Sequence, residues 1–185
     1  KLDFPNLSMV GVDDRAAAYQ AVSYLIQQGH RKIAVLGGPA TSYPSMMRRQ
    51  GAQQAMEDAG IRFEDKLYGL SNYDFESAYH AMNGLLARRA EFTALFAMSD
   101  VIAFGAIRAL VSAGLQVSED VSVIGFDGIT MSRYCVPVMT TIVQPSEQIA
   151  LQSIELLVRQ IEHGTPAQTV TLQPELQQGE SVRAI

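Results

Sequence analysis

Short apolar segments alternate with amphipathic helical segments along this chain, and that alternation limits the folds open to it. The strand-like segments are Leu7–Val12, Ile33–Leu36, Thr93–Met98, Val121–Phe126 and Thr140–Val143. The segment after Asp13-Asp14 carries apolar residues at Ala18, Ala21, Val22, Leu25 and Ile26, the spacing of one helix face. Helical crossovers join parallel strands, and such crossovers are right-handed. The order therefore predicts an α/β fold built on parallel sheets flanked by helices.

Composition limits the function classes. The 185 residues are 48% hydrophobic and 18% charged, which suits one good-sized domain or two small lobes and excludes a disordered chain. A net charge of −5 argues against this segment gripping nucleic acid itself. No apolar run is long enough to cross a membrane, so no membrane contact is expected. The single cysteine, Cys135, excludes an internal disulfide and a cysteine-based metal site.

Motifs for catalysis and cofactor binding do not occur. The Gly37-Gly38-Pro39 turn lacks the Walker spacing and its lysine, and the sequence holds neither a G-x-G-x-x-G nor a G-x-S-x-G motif. His30, His80 and His163 have no partner at metal-ligand spacing. The sequence therefore gives no positive support for an enzyme, and we expect no catalytic residue, cofactor or metal.

A carboxylate follows the most strand-like segment. Val121–Phe126 is a buried-strand pattern, and Gly125-Phe126-Asp127-Gly128 allows a turn at its end. Ligands bind beyond the carboxyl ends of the strands in open parallel sheets, so Asp127 is a candidate ligand-holding residue. The alternative is a solvated turn aspartate.

Several blocks together resemble one family. The first block is Gly29-His30-Arg31-Lys32-Ile33-Ala34-Val35-Leu36-Gly37-Gly38-Pro39. Others follow in order: Arg48-Arg49-Gln50-Gly51, Ser99-Asp100 with Ala103-Phe104-Gly105-Ala106, Glu119–Asp127, Pro137 with Thr140-Thr141-Ile142, and Gly179-Glu180-Ser181. In order and spacing the chain resembles the effector-binding core of lac/gal repressor (LacI/GalR) family transcription regulators.

The resemblance implies a two-lobe, periplasmic-binding-protein-like fold with an effector in the cleft between lobes. Its N-terminal lobe is expected to be incomplete, because the chain begins near the middle of that lobe. We expect residues 1–62 to form part of the N-terminal lobe and 63–137 the C-terminal lobe. Residues 138–163 are then expected to return to the N-terminal lobe, and 164–185 to add terminal strands to the C-terminal lobe.

Four positions match the family's effector contacts. Arg48 corresponds to an arginine that clamps hydroxyls or an anion; the alternative is a solvated helix arginine. Asp127 corresponds to the cleft carboxylate. Tyr73 falls where an aromatic ring faces the ligand, although Phe75 could take that place. Ser99 stands where Asn or Asp is common and could serve only as a helix N-cap. With these divisions, Arg48 and Asp127 are predicted to come from different lobes.

The resemblance also implies a function. Family members are cytoplasmic, dimeric repressors that sense a small molecule and bind operator DNA through an upstream helix-turn-helix, which is outside this sequence. A sugar or sugar phosphate is the expected effector. The alternative is a periplasmic sugar-binding protein of a transport system.

Overall fold

The computed structural model describes residues 6–89 and 91–185; the start of the predicted 1–62 segment, residues 1–5, lies outside them. The elements run in the order β1 (Met9–Val12), α1 (Asp14–Gln27), β2 (Ile33–Gly37), α2 (Tyr43–Asp58), β3 (Tyr68–Leu70), α3 (Phe75–Ala87), β4 (Ala94–Ala97), α4 (Asp100–Ser112), β5 (Ser122–Asp127), β6 (Thr140–Val143), α5 (Ser146–His163), β7 (Thr169–Leu172) and β8 (Glu175–Gln177).

Six strands form the larger sheet, in the order β3-β2-β4-β5-β6-β8. All its neighbouring strands are parallel except β6 and β8, which are antiparallel. The chain moves outward from β2 to β3 and then back past β2 to β4, so the strand order reverses beside β2. The predicted α/β fold with parallel sheets is confirmed.

Helices cover both faces of this sheet. Because the crossovers from β2 to β3 and from β3 to β4 run in opposite directions, right-handed connections put α2 and α3 on opposite faces. Helix α1 packs with α2, and α4 packs with α3. Burial on both faces explains why β2 and β4 are apolar without alternation and fully buried.

A smaller unit consists of β1 and β7, paired in parallel, with α5 against β1. Only Leu156 of α5 is buried, whereas five of the large apolar residues of this helix are exposed, namely Leu151, Ile154, Leu157, Val158 and Ile161. The structure therefore has two units of very different size. Three segments of the chain join them: α1 between β1 and β2, α5 between β6 and β7, and the short connection from β7 to β8.

The predicted lobe boundaries are wrong in three places. β2 lies inside 1–62 but pairs with β4, so the chain enters the larger unit after β1. β6 lies inside 138–163 but pairs with β5 in the same large sheet. Within 164–185, β7 joins β1 and only β8 joins the larger sheet. Polar connections mark where a strand ends; they carry no information about which strand lies beside it.

Candidate functional site

The carboxyl ends of the parallel strands meet at one edge of the larger sheet. Tyr73 follows β3, Ser99 follows β4 and Asp127 ends β5. Arg48 reaches the same edge from α2, which follows β2. The four predicted residues therefore lie in one unit, and the prediction that Arg48 and Asp127 come from different lobes is wrong.

Arg48 is buried, with 6% of the residue exposed. Its Nε donates to Asp14 Oδ1 at 2.7 Å, and its Nη1 donates to the carbonyl of Met98. The same Nη1 lies 3.6 Å from Asp127 Oδ1. The guanidinium carbon stands 3.7 Å from the centre of the Phe126 ring, a cation–π contact. Arg48 is therefore not a solvated helix arginine: it links α1, β4 and β5 beneath the sheet edge.

Arg49 lies in a more exposed position, with its guanidinium carbon 4.5 Å from the centre of the Tyr68 ring. Its side chain is 42% exposed, and its Nη2 lies 3.7 Å from an exposed Asp65. Helix periodicity explains the contrast, because consecutive residues point about 100° apart around the helix axis.

The Asp127 carboxylate lies between the side chains of Arg48 and Gln144. Gln144, which follows β6 at the same edge, donates from Nε2 to Asp127 Oδ1 at 2.7 Å. Burial raises the pKa of the Asp127 carboxyl, while the Arg48 charge acts in the opposite direction. The residue has φ of +116°, in the left-handed region. It is not a solvated turn aspartate, since its side chain is only 26% exposed.

Tyr73 packs on the loop after β2. An added Cβ on Gly38 would lie 2.1 Å from the Tyr73 ring, so only glycine allows this contact. The Tyr73 hydroxyl is buried and has no hydrogen-bond partner within the described chain. Phe75, the alternative aromatic residue, instead has its ring centre 6.3 Å from that of Phe104.

Ser99 acts as the N-cap of α4. Its Oγ accepts from the Ile102 backbone N–H at 3.2 Å, and the residue is only 4% exposed. The neighbouring Asp100 is completely buried. Its Oδ2 accepts from the Ile129 backbone N–H at 2.8 Å, and its Oδ1 accepts from the Thr141 hydroxyl at 2.6 Å.

An open cleft of about 540 Å³ borders Asp127. It lies between the sheet edge and the start of α5, and its volume is in the range of about 300–1,000 Å³ usual for small-molecule sites. Its lining residues are Asp127, Gly128, Ile129, Thr130, Gln144, Ser146, Ile149 and Ala150. Of the four predicted residues, Asp127 alone lines this cleft.

Sequence reasoning missed Asp14, Gln144 and Asp100 as parts of the site. Gln144 could have been found, because it directly follows a predicted strand at the edge that carries Asp127. Asp14 gave no such signal, since nothing in the sequence pairs it with Arg48. Across residues 6–89 and 91–185, no cluster of three or more His, Cys, Asp or Glu side chains could hold a metal ion. Over the same residues, no helix combines the length and apolarity of a membrane span.

Residues 22–182 match the family model of the periplasmic binding protein-like domain. The chain belongs to this family. It is 37% identical over 174 residues to the regulator MalR of Clostridium butyricum, covering 94% of this chain and 52% of that protein. It is 38% identical over 156 residues to the repressor CytR of Escherichia coli K12, covering 84% and 46%. The chain thus spans about half the length of the curated relatives it matches.

Solved structures agree with this assignment. A complex of the regulator CelR with cellobiose superposes with a TM-score of 0.91 at 33% identity, over 96% of this chain and 54% of that one. A LacI-family regulator from Enterococcus faecium with bound ribose gives 0.90 at 28% identity, over 96% and 66%. The predicted resemblance to LacI-type effector-binding cores is confirmed. These relatives are named as transcriptional regulators.

Proposed function

We propose that this chain is the effector-binding and dimerisation core of a LacI-type transcriptional repressor, and that its effector is a small sugar or sugar phosphate. The observation that carries the proposal is the Asp127–Gln144 pair at the mouth of the cleft. A carboxylate and an amide side by side accept from and donate to adjacent hydroxyl groups, as recognition of a polyhydroxyl ligand requires.

The charges around the cleft favour a neutral sugar over a sugar phosphate. The acidic side chain of Asp127 borders the cleft, and no cationic side chain is among the described residues lining it. The Arg48 charge is already paired with Asp14 and lies near Asp127, so little of it is left for a phosphate. Cellobiose and ribose, the ligands in the two regulator structures, are neutral sugars.

Each predicted residue has a place in the proposal. Asp127 binds ligand hydroxyls directly. Arg48 contributes through its charge and through Nη2, which donates no hydrogen bond within the described chain. Tyr73 and Ser99 do not line the cleft, and we infer supporting roles for both: the Tyr73 ring packs on Gly38 at the sheet edge, and Ser99 caps α4 there.

Regulation follows from unequal affinity for two arrangements of the lobes. A ligand shifts the equilibrium only if it binds one arrangement more tightly. In the proposed cytoplasmic homodimer, that shift changes how upstream helix-turn-helix segments meet operator DNA. Phe75 supports self-association, because it is 58% exposed beside Phe104 and a second copy could cover it.

Calorimetry with cellobiose, ribose and glucose 6-phosphate tests the proposal. A neutral sugar should bind, and at 100 times its dissociation constant it should stabilise the protein by about 2.7 kcal/mol. Asp127→Asn should weaken binding by about 1.5–3 kcal/mol, because a charged acceptor is lost. Asp120→Asn is the matched control, since Asp120 is exposed before the start of β5, at the opposite edge of the sheet. Preference for the phosphate would contradict the choice of a neutral sugar over a sugar phosphate. Equal affinities of wild type and Asp127→Asn would remove Asp127 from the proposed ligand contacts.

Transport is the competing function for the same fold. The relatives named above are regulators, which favours the repressor. The coding sequence upstream of this segment decides between the two functions: a helix-turn-helix supports the repressor, and a secretory signal peptide refutes it.

A further inference from the structure

The buried carboxylate of Asp100 joins three elements around the proposed site. It lies in the first turn of α4, accepts from the Ile129 backbone N–H after β5, and accepts from the Thr141 hydroxyl on β6. Both oxygens are therefore used by segments distant in sequence. Stabilisation of the start of α4 would need neither contact, since the Ser99 hydroxyl already caps that helix.

The segment that Asp100 holds has an unusual backbone. Asp127 and Gly128 have φ of +116° and +71°, two consecutive residues in the left-handed region. A non-glycine residue stays in such a conformation only where its surroundings enforce it. Ile129 is the next residue, and the bond from its N–H to Asp100 fixes the end of this turn. The bond between the Gln144 N–H and the Asp127 carbonyl fixes its beginning.

The Asp100 carboxylate packs against the sheet at Gly125, where the absence of a side chain leaves space for it. Gly125 faces Thr141 across the β5–β6 pair, and an added Cβ on Gly125 would lie 2.2 Å from Asp100 Oδ1. Any side chain at 125 would displace the carboxylate from Thr141. Gly125, Thr141 and Asp100 thus form one packed unit beneath the turn.

We propose that Asp100 is a positioning residue of the effector site, which holds the 127–129 turn and thereby aims the Asp127 carboxylate into the cleft. This inference rests on the proposed function, because it gives Asp100 its role through the ligand contact of Asp127. Asp100 itself is buried and does not line the cleft.

The charges near Asp100 make the two carboxylates interdependent. Asp127 faces it from the end of β5, the Cys135 thiol faces it from the following segment, and Arg48 and Asp14 lie beyond Asp127. Burial is the main reason that the pKa of Asp100 rises to about 6, and the nearby Asp127 charge adds to the rise. Asp100 in turn acts on Asp127 through its backbone N–H, a hydrogen bond that lowers the pKa of the Asp127 carboxyl.

Amide hydrogen exchange at Ile129 tests the positioning role directly. Asp100→Ala and Thr141→Val remove the support of the turn, so exchange at Ile129 should become at least about tenfold faster. Asp100→Asn should rescue it to within about threefold, because the amide oxygen still accepts from Ile129 and its NH₂ donates to Thr141. Asp74→Asn is the matched control, as Asp74 caps α3 at the same sheet edge without reaching the turn.

Binding of cellobiose and ribose to the same proteins completes the test. Each variant with faster amide exchange at Ile129 should bind the sugar that the wild type binds with about tenfold or more lower affinity. Unchanged exchange at Ile129 in Asp100→Ala would overturn the proposal, as would faster exchange with unchanged affinity. Faster exchange confined to Ile102 and Ala103 would reduce Asp100 to a helix-start residue. If the wild type binds neither sugar, the proposed sugar function fails, while Ile129 exchange still decides whether Asp100 holds the turn.

Discussion

Replacing Arg48 by methionine removes a buried guanidinium while keeping most of the apolar length of the side chain. Asp14 would lose its partner at 2.7 Å, and Asp127 would lose the cation at 3.6 Å. The Met98 carbonyl would lose a donor. The Phe126 ring would exchange a cation for a thioether, which also contacts aromatic rings favourably. The change therefore leaves two partly buried carboxylates without compensation.

The loss of the buried guanidinium should lower the free energy of unfolding. Removing one member of a buried ion pair destabilises proteins by about 3–5 kcal/mol. We expect the lower end, about 3 kcal/mol, because the Asp14 and Asp127 side chains keep 16% and 26% exposure and water relieves part of the penalty. For a chain of this size such a loss lowers the melting temperature by roughly 6–12 °C.

Urea unfolding of Arg48→Met beside Arg49→Met measures this cost. Arg49 has the same side chain one position along, but its pair with Asp65 is exposed and its stacking on Tyr68 is only half-buried, so its loss should cost no more than about 1–2 kcal/mol. Adding Asp14→Asn to Arg48→Met should recover part of the loss, because the uncompensated charge is then removed. Equal unfolding free energies for Arg48→Met and Arg49→Met would refute the view that the guanidinium holds the site together.

Four further substitutions test packing and ionisation. Gly51→Ala should destabilise by about 1–3 kcal/mol, since its Cβ would lie 2.0 Å from the Arg15 carbonyl oxygen where α1 and α2 cross. Gly84→Ala, with open space around its Cβ, should stabilise by about 0.5–1 kcal/mol, and urea unfolding distinguishes the signs. The Asp100 pKa is raised to about 6, so the native state binds the extra proton and loses stability as the pH rises from 4 to 6. Asp100→Asn should therefore gain up to about 3 kcal/mol over wild type at pH 8 and nothing at pH 4; equal differences at both would contradict this. Burial lowers the pKa of His30, so its contribution, full above pH 6.5, should be lost on acidification, and His30→Gln should flatten that part of a pH-dependent unfolding series.

The local elements were predictable because each has its own periodicity and ends. The expected strand at Val121–Phe126 appears as β5 (Ser122–Asp127), and Asp13 caps α1 by accepting from the Arg15 and Ala16 N–H groups. Pairing order was not predictable in the same way. The return of the chain from β3 past β2 to β4 depends on packing of the whole sheet, which leaves no pattern in any one segment.

Residues of the candidate site could be predicted only where a polar residue directly follows a predicted strand or where a motif of the family is present. Asp127 was found on that basis, and the family resemblance supplied Arg48. The hydrogen-bonding residues around Arg48 and Asp127 were not predicted. Asp14, Asp100 and Gln144 are each separated in sequence by 17 to 41 residues from the residue that they contact. Asp100 was expected only to start a helix and pack, and its two long-range hydrogen bonds are properties of the folded chain.

The location of Arg48 has a consequence for the binding site. With Arg48 in a separate lobe, its contact with Asp127 would depend on how two units close. Instead α2 and β5 belong to the same unit, and the guanidinium is fixed from below by Asp14 and Phe126. The polar wall formed by Asp127 and Gln144, with Arg48 packed behind it, is therefore preorganised, which would lower the ordering cost of binding the proposed ligand. In the proposed mechanism, closure against α5 would act on a wall whose geometry is already set, so a ligand's preference for one arrangement would come from contacts made on the α5 side of the cleft.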